Sequence, residues 1–404
     1  MAKQKDRIIK STKTTLNFTN QGKLKQLYTF IDEYRLVVKQ FIDLLWPATF
    51  EDFTVYSYIP KKLYRKITNT WLTARAIQAA GQQAAGIIKS TADKQKKRWY
   101  VYNKLLLEED KNKVKTKLKQ ARKLKAIIDR SNTKPDINTV EPQLDSRFIK
   151  HDWKNPTTFD GVITFGSLGY KNSISIPIKK SKHFNDLLAK GKLLTSIRLS
   201  KKNLCFAFDL PVVTPKNFGQ AVGLDIGVKN TYTLSTGISS QPDIHNHTLD
   251  SINKKLARKR KGSNAFGRTQ LHRTNYINWS LNQIDFSNIS AIKAEDIKYL
   301  RRGKKTSRYL SHFTYTEVID KLEDLCIQNG VQIEYVNPTY TSQRCSCCGW
   351  VRSKNRKGKQ FKCSSCGFAL DADLNASRNI LAALRPISSK ERLLNKNRKG
   401  FYWN

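Results

Sequence analysis

The C-terminal half of the chain carries three acidic clusters interleaved with four cysteines, and this combination restricts the fold more than any other feature. The clusters are Gly223-Leu-Asp-Ile-Gly227, Ala294-Glu-Asp296 and Asp371-Ala-Asp-Leu-Asn375. Carboxylates that are distant in sequence can still converge at the strand ends of one sheet. There they can bind two Mg²⁺ ions for phosphodiester hydrolysis. We therefore expect Asp225, Glu295 and Asp373 to be catalytic and to bind magnesium.

Each acidic residue has a simpler interpretation when it is taken alone. Asp225 follows an apolar strand, where aspartate often forms a turn, and Glu295 and Asp296 suit a solvent-exposed position. Asp371 fits the N-cap of the last helix, because its carboxylate can accept hydrogen bonds from free backbone amides. Only the three clusters taken together favour a metal site.

The cysteines predict a second, structural metal site. Cys345-x-x-Cys348 and Cys363-x-x-Cys366 are each followed by glycine, and this spacing is typical of a tetrahedral thiolate site for Zn²⁺. Cys347 fits that spacing poorly. The chain has no apolar signal segment, so clustered cysteines indicate metal binding and a reducing, intracellular compartment. His245 and His247 lack an evident third ligand, and we interpret them as part of a polar loop.

The charge of the chain indicates a polyanionic partner. The 404 residues include 74 Lys and Arg against 32 Asp and Glu, a formal net charge of +42. Such self-repulsion lowers stability unless a polyanion neutralises it, and nucleic acid is the natural candidate. No apolar run approaches the length needed to cross a bilayer, so we expect no membrane partner.

The N-terminal half has the pattern of a helical region combined with strands. Apolar residues recur at helical spacing from Leu24 to Leu45, and Pro47 is expected to end that helix. Two further helices are expected over 61–89 and from Trp99 to Ile128. Strand patterns over 7–18 and 146–213 predict a small β-barrel or curled sheet. Lys111 to Arg130 is a basic helix that suits either solvent or a nucleic-acid backbone.

The C-terminal half predicts the element order hairpin, helix, strand, helix, strand, helix, which suits an RNase H-like α/β fold. The predicted fold class is thus multidomain α+β. Its divisions are 1–20 as the first barrel strand, 21–130 as a helical lobe, 131–215 as the β-barrel, 216–404 as the nuclease domain, and 340–370 as an inserted zinc ribbon.

With these motifs identified, the chain resembles the TnpB family of transposon-encoded RNA-guided nucleases, which are related to compact type V CRISPR effectors. The resemblance covers about residues 220–384. It rests on the motifs Gly223-Leu-Asp-Ile-Gly-Val-Lys229, Ala294-Glu-Asp-Ile297, Asn337-Pro-x-x-Thr-Ser-Gln-x-Cys345, the paired cysteines and Asp373-Leu-Asn-Ala376. Ser377 departs from the alanine that is common there, and the interval between Asp225 and Glu295 is rather short.

The resemblance implies an RNA-guided DNA endonuclease with a single RuvC-like site. It assigns the third acid to Asp373 over Asp371, residues 21–130 to a recognition lobe and 131–215 to a wedge-like domain. The implied partners are a guide RNA and double-stranded target DNA with a short flanking motif, and the implied location is the cytoplasm of a prokaryote, associated with the nucleoid. The alternatives are an RNA-guided DNA-binding repressor that cuts weakly and an unguided RuvC-like resolvase or transposase. An actin-like ATPase would need a second phosphate loop, which the sequence lacks.

Overall fold

The computed structural model describes most of the chain as two units, Met1–Pro211 and Val212–Asn404. The described residues are 8–50, 58–107, 111–130, 133–153, 158–169, 173–297, 307–312, 314–382 and 384–403. Both units combine helices with sheets, so the fold is a multidomain mixture of α and β structure. In the part of the chain described here, no helix is long and apolar enough to cross a membrane.

The first unit contains five helices among its described residues. They are α1 (Gln21–Phe50), α2 (Lys61–Tyr64), α3 (Ala74–Leu106), α4 (Lys111–Arg130) and α5 (Lys182–Lys190). The apolar repeat of α1 is buried, as the sequence predicted. The prediction that Pro47 ends this helix is wrong, because Pro47 lies inside its last turn. A proline costs one backbone hydrogen bond, and the long buried stripe of α1 outweighs that loss.

The two helices expected after Pro47 are divided differently in the structure. The short helix α2 ends at Tyr64, and α3 then runs without a break from Ala74 to Leu106. Thr73 starts α3 as its N-cap, since its hydroxyl accepts a hydrogen bond of 3.2 Å from the Ala76 amide.

The strands of the first unit form two separate sheets, and the predicted β-barrel is not supported. They are β1 (Ile8–Thr15), β2 (Gln143–Leu144), β3 (Ile149–Asp152), β4 (Gly161–Phe165), β5 (Ile174–Ile178), β6 (Lys192–Leu199) and β7 (Asn203–Leu210). One sheet has the order β1-β7-β6-β2 and the other β3-β4-β5. Among the described residues no ladder joins the two sheets, so the strands do not close on themselves.

The second unit is built on a four-stranded sheet. Its strands are β8 (Gln220–Asp225), β9 (Thr233–Leu234), β10 (Ile289–Glu295) and β11 (Gln332–Val336), in the order β11-β10-β8-β9. The strands β8, β10 and β11 are parallel, and β9 is antiparallel to β8. The hairpin and the two strands predicted from the sequence are therefore present.

Helices, a small three-stranded sheet and a two-stranded sheet complete this unit. The helices are α6 (Leu249–Ala257), α7 (Asn264–Leu281), α8 (Arg308–Ser311), α9 (Tyr315–Gln328), α10 (Ala372–Ala382) and α11 (Ser389–Lys396), and the short strands are β12 (Trp350–Val351), β13 (Arg356–Lys357), β14 (Gln360–Lys362), β15 (Ala369–Asp371) and β16 (Phe401–Tyr402). Val222, Leu224 and Ile292 of the main sheet pack with Leu322 of α9 and Leu281 of α7 in one apolar core. Burial of this core fixes the strand ends that carry the acidic residues.

Candidate active site

Two of the predicted acidic residues end neighbouring parallel strands. Asp225 is the last residue of β8, and Glu295 is the last residue of β10. Leu224 lies opposite Ala294 in the ladder between these strands, so the two carboxylates follow at the same edge of the sheet. This is the edge where open α/β sheets bind their ligands.

The third carboxylate reaches this edge because α10 packs very closely on β8. Gly223 lies at the contact, and a Cβ atom there would be 2.0 Å from the carbonyl oxygen of Ser377. Only glycine permits this approach of helix and strand. It brings the first turn of α10, which carries the buried Asp373, beside Asp225.

One cleft contains all three predicted catalytic residues. Its volume is about 880 Å³. Its other polar lining residues are Lys229, Thr341, Ser342, Gln343, Ser353, Arg356 and Lys359. The cleft thus combines three acidic side chains with the basic side chains of Lys229, Arg356 and Lys359. That arrangement suits a cation bound beneath an anionic substrate.

The electrostatics of the cleft favour a bound cation. Burial, followed by repulsion from Glu295 and Asp373, raises the pKa of Asp225 well above its usual value, and Arg356 opposes this shift. Burial also raises the pKa of Glu295, while a hydrogen bond from Thr341 and the charge of Arg356 act to lower it. The carboxylates therefore repel one another in a poorly solvated place, and hard divalent cations relieve such repulsion.

Two residues of the cleft were not assigned from the sequence. Arg356 on β13 pairs with Asp373, with 2.8 Å between Nη2 and Oδ1, and the Thr341 hydroxyl donates a hydrogen bond to Glu295. Thr341 belongs to the motif over 337–345, and Arg356 lies between the two cysteine pairs. Neither position carries a signal that identifies its acidic partner.

Asp371 has a structural role that is distinct from that of Asp373. Its Oδ1 accepts hydrogen bonds from the backbone amides of Asp373 at 2.9 Å and of Leu374 at 3.1 Å. These bonds satisfy free amides at the start of α10, as the capping interpretation predicted. The cap fixes the first turn of the helix and so positions Asp373.

The four predicted cysteine ligands converge on one point. Their Sγ atoms all lie within 4.8 Å of one another, with 3.7 Å between Cys345 and Cys366 and 3.6 Å between Cys348 and Cys363. A tetrahedral ion with Zn–S bonds of about 2.3 Å requires sulfurs about 3.8 Å apart, so the cluster fits zinc. Cys347 is exposed and lies outside the cluster.

Two buried asparagines of α10 connect that helix to the segment before the cysteines. The Asn375 side chain accepts from the Ser346 amide at 3.0 Å and donates to the Arg344 carbonyl at 2.8 Å. The Asn379 amide group donates to the carbonyls of Arg344 at 2.7 Å and Thr341 at 2.8 Å. The helix that carries Asp373 is thereby tied to the chain that carries Thr341 and the first cysteine pair.

Comparisons with known proteins find similar sequences, and the matched family model lies within the second unit. The family model described as Cas12f1-like, TNB domain matches residues 315–380. A segment of 90 residues, 22% of this chain, is 41% identical to the CRISPR-associated endodeoxyribonuclease Cas12f1 of Sulfoacidibacillus thermotolerans and covers 21% of it. The TnpB-like protein MJ0751 of Methanocaldococcus jannaschii is 24% identical over 281 residues, which are 63% of this chain and 88% of that protein.

The similarity to solved structures is weaker than the similarity in sequence. A cryo-EM structure of a Cas12f1–sgRNA–target DNA complex aligns with a TM-score of 0.43 and 16% identity, over 93% of this chain and 99% of that chain. Alignments with three curated relatives span only 21%, 45% and 48% of their lengths. The chain thus spans less than half the length of these relatives.

Proposed function

Since its sequence matches make this chain a TnpB-family protein, we propose that it is an RNA-guided DNA endonuclease that cuts DNA in the cleft of its second unit. The observation that carries the proposal is the convergence of Asp225, Glu295 and Asp373 in one cleft. The relatives named as endodeoxyribonucleases and as TnpB-like proteins support the reaction class.

We assign the second unit to the RuvC-like, RNase H-like class of nuclease domains, with residues 340–370 as a zinc ribbon. The parallel strands β8 and β10 with the antiparallel β9 support this assignment, as does the packing of α10 on β8. The convergent thiolates of the ribbon suit a closed, structural Zn²⁺ site with no catalytic role. Its contribution would be to position Arg356 and Thr341 at the cleft.

The residues of the cleft fit two magnesium ions, because the carboxylates supply hard oxygen ligands and their mutual repulsion is relieved by cations. Asp225, Glu295 and Asp373 would hold them. When bound, such ions activate a water molecule and stabilise the charge that develops on the leaving oxygen. The Thr341 hydroxyl orients Glu295. Arg356 neutralises Asp373 and, when released from it, can pair with a phosphate of the substrate.

The recognition of guide and target is assigned to the basic surface of the chain. A net charge of +42 suits a protein that carries RNA and binds a DNA duplex at the same time. In RNA-guided nucleases base pairing selects the target and the protein reads a short flanking motif. We assign the reading of that motif to the first unit, with α1 to α4 as the recognition lobe.

The test begins with the RNA that copurifies with the protein when it is expressed from its native locus. Sequencing should give one dominant RNA with a constant part and a variable end. That RNA is then reprogrammed against a plasmid target flanked by randomised bases, and cleavage in Mg²⁺ is measured. Linear plasmid with one enriched flanking motif is the expected result. Heterogeneous RNA, or cleavage without RNA, would contradict guided recognition.

The site is tested by replacing one carboxylate and a neighbour that lies outside the cleft. Asp225→Asn should lower the cleavage rate about 10³-fold, since loss of a metal ligand removes several kcal/mol of transition-state stabilisation. Asp296→Asn is the matched control, because Asp296 follows Glu295 but is exposed. The control should cut normally, and both variants should retain RNA. Normal cleavage by Asp225→Asn would overturn the site assignment.

A further inference from the structure

A group of two histidines and one aspartate lies outside the acidic cleft, where the connection between β9 and α6 meets α7. It consists of Asp243, His247 and, from the middle of α7, His272. One ligand atom from each residue lies within 4.8 Å of the other two. None of the three lines the carboxylate cleft. No third ligand for His245 and His247 is evident from the sequence; in the structure His247 lies close to Asp243 and His272, and His245 is not part of the group.

The carboxylate of Asp243 is oriented by its own loop. Its Oδ1 accepts hydrogen bonds from the backbone amides of His245 at 2.9 Å and His247 at 2.8 Å. Its Oδ2 therefore faces the two imidazoles, 3.4 Å from Nδ1 of His247 and 3.8 Å from Nε2 of His272. Oδ1 of Asp243 thus stabilises the turn of the loop, and Oδ2 faces the imidazole rings of His247 and His272.

The backbone around the group is held in place before any ligand arrives. The Asp243 amide donates to the His247 carbonyl at 3.0 Å, and the Asn246 amide donates to the Asp243 carbonyl at 2.8 Å. Thr248 then caps α6 through a reciprocal pair of hydrogen bonds with Ser251. One turn after His272, the Tyr276 hydroxyl donates to the Gln241 carbonyl at 2.7 Å and so fixes α7 against the loop.

One polar atom of the group remains without a hydrogen bond. Nδ1 of His247 is shielded from solvent and has no hydrogen-bond partner among the described residues. A shielded polar atom that makes no hydrogen bond is costly unless a ligand satisfies it. The exposed fractions of the three side chains are 38% for His247, 32% for His272 and 18% for Asp243, so the group lies near the surface of the unit.

We propose that Asp243, His247 and His272 bind one divalent transition-metal ion, such as Zn²⁺, through Oδ2, Nδ1 and Nε2. Bonds of about 2.0–2.1 Å in a tetrahedral arrangement place ligand atoms about 3.3–3.4 Å apart, close to the two distances observed here. Two imidazoles and one carboxylate leave at least one position for water. The ion joins the loop before α6 to the middle of α7.

This site differs in chemistry from the four-cysteine cluster and does not depend on the proposed nuclease function. Nitrogen and oxygen ligands with open positions bind zinc less tightly than four thiolates and release it more readily to chelators. The competing explanation is that the group is only an ion pair between Asp243 and protonated histidine. That explanation requires no metal.

The experiment compares the full-length protein with variants after reconstitution with Zn²⁺ and removal of excess ion. Bound zinc per chain is measured by elemental analysis. His272→Ala and Asp243→Asn should each bind one ion less than the wild-type protein. Asparagine keeps the oxygen that accepts the loop amides, so this variant is expected to fold. His245→Ala is the matched control, because this exposed neighbour lies outside the group, and it should bind as much zinc as the wild-type protein.

A spectroscopic measurement separates this site from the cysteine cluster. Co²⁺ bound to thiolates gives sulfur-to-metal charge-transfer absorption, and Co²⁺ bound to nitrogen and oxygen does not. His272→Ala should lose one Co²⁺ without loss of charge-transfer absorption. Added Zn²⁺ should also raise the unfolding temperature less in His272→Ala than in His245→Ala. Equal metal content and equal zinc-dependent shifts of the unfolding temperature in wild type, His272→Ala and Asp243→Asn would overturn the proposal. The group would then be explained as an ion pair alone.

Discussion

The cysteine cluster and the acidic cleft differ in how the chain assembles their ligands. The four cysteines lie within residues 345–366, and their sulfurs converge through two local turns and a small sheet. The three carboxylates come from β8, β10 and α10, and the main sheet and one close helix contact bring them together. The cysteine site is thus a local structure, whereas the cleft depends on the packing of the whole second unit.

The two sites also differ in what compensates their charge. The cysteine Sγ atoms mainly contact one another, and the Sγ–Sγ distances in the two closest pairs are 3.6 and 3.7 Å. In the cleft, Arg356 pairs with Asp373 and Thr341 donates to Glu295, while repulsion and burial raise the pKa of Asp225. Because Thr341 precedes the first cysteine pair and Arg356 lies between the two pairs, the local site supports the assembled one. This difference predicts a different response to mutation at each site.

Cys348→Ser should have the largest effect, because it removes a ligand of the local site. Structural zinc contributes an apparent binding free energy of about 10–16 kcal/mol in small zinc domains, so its loss should unfold the ribbon. We expect one zinc ion less per chain and faster proteolysis within residues 340–370. Cys347→Ser is the matched control, since this neighbouring thiol is exposed and outside the cluster. Equal proteolysis of the two variants would show that the ribbon does not depend on zinc.

Gly223→Ala tests whether the cleft depends on tertiary packing, and its expected effect is intermediate. The new methyl group would meet the Ser377 carbonyl, so α10 must move away from β8. Overpacking of this kind costs about 1–3 kcal/mol, and the shift should also displace Asp373 and lower cleavage. Gly267→Ala in α7 is the control, because its Cβ meets nothing within 4 Å and alanine favours a helix. Urea denaturation should separate the two variants, and equal stabilities would refute the packing argument.

Asp225→Asn should change stability least of the three variants. It should raise stability, whereas Cys348→Ser and Gly223→Ala should lower it. The folded state raises the pKa of Asp225 above its usual 3.8, so it binds more protons than the unfolded state over that interval. Wild-type stability therefore falls as the pH rises from the usual value through the raised one. Without added divalent ions the variant should be more stable than the wild-type protein at pH 7, because asparagine carries no charge that burial and the neighbouring carboxylates disfavour.

The control for this prediction is how the difference in stability between wild type and Asp225→Asn changes with pH. At pH 4, close to the usual pKa of an aspartate, the raised pKa of Asp225 favours the neutral carboxyl in the folded protein, so wild type and Asp225→Asn should differ least in unfolding temperature. The gap between them should open as the pH rises and close again when Mg²⁺ is added. A gap that is the same at pH 4 and pH 7 would show that the charge of Asp225 does not destabilise the fold.

The sequence predicted the hairpin, the two further strands and the helix after Asp371 correctly, because each has a local signal. The single helix predicted before β10 is two helices, α6 and α7, and α11 follows the helix that was predicted to be the last. The strand before Asp225, the strand before Glu295 and the capped helix after Asp371 all have apolar patterns with clear ends. In the first unit the signals were misleading or incomplete. Pro47 does not stop α1, and the cap at Thr73 was overlooked. The pairing of Ile8–Thr15 with Asn203–Leu210 joins distant segments, so local patterns could not show that the strands form two sheets.

The sequence by itself determined the cysteine ligand set, the order of the acidic clusters and the basic character of the chain. These features depend on the spacing and type of residues, which are local properties. The tertiary structure decided that Arg356 pairs with Asp373, that Gly223 lets α10 approach β8, and that His272 joins His247 and Asp243. Each of these contacts joins segments far apart in sequence, and only the burial of the shared core fixes their separation.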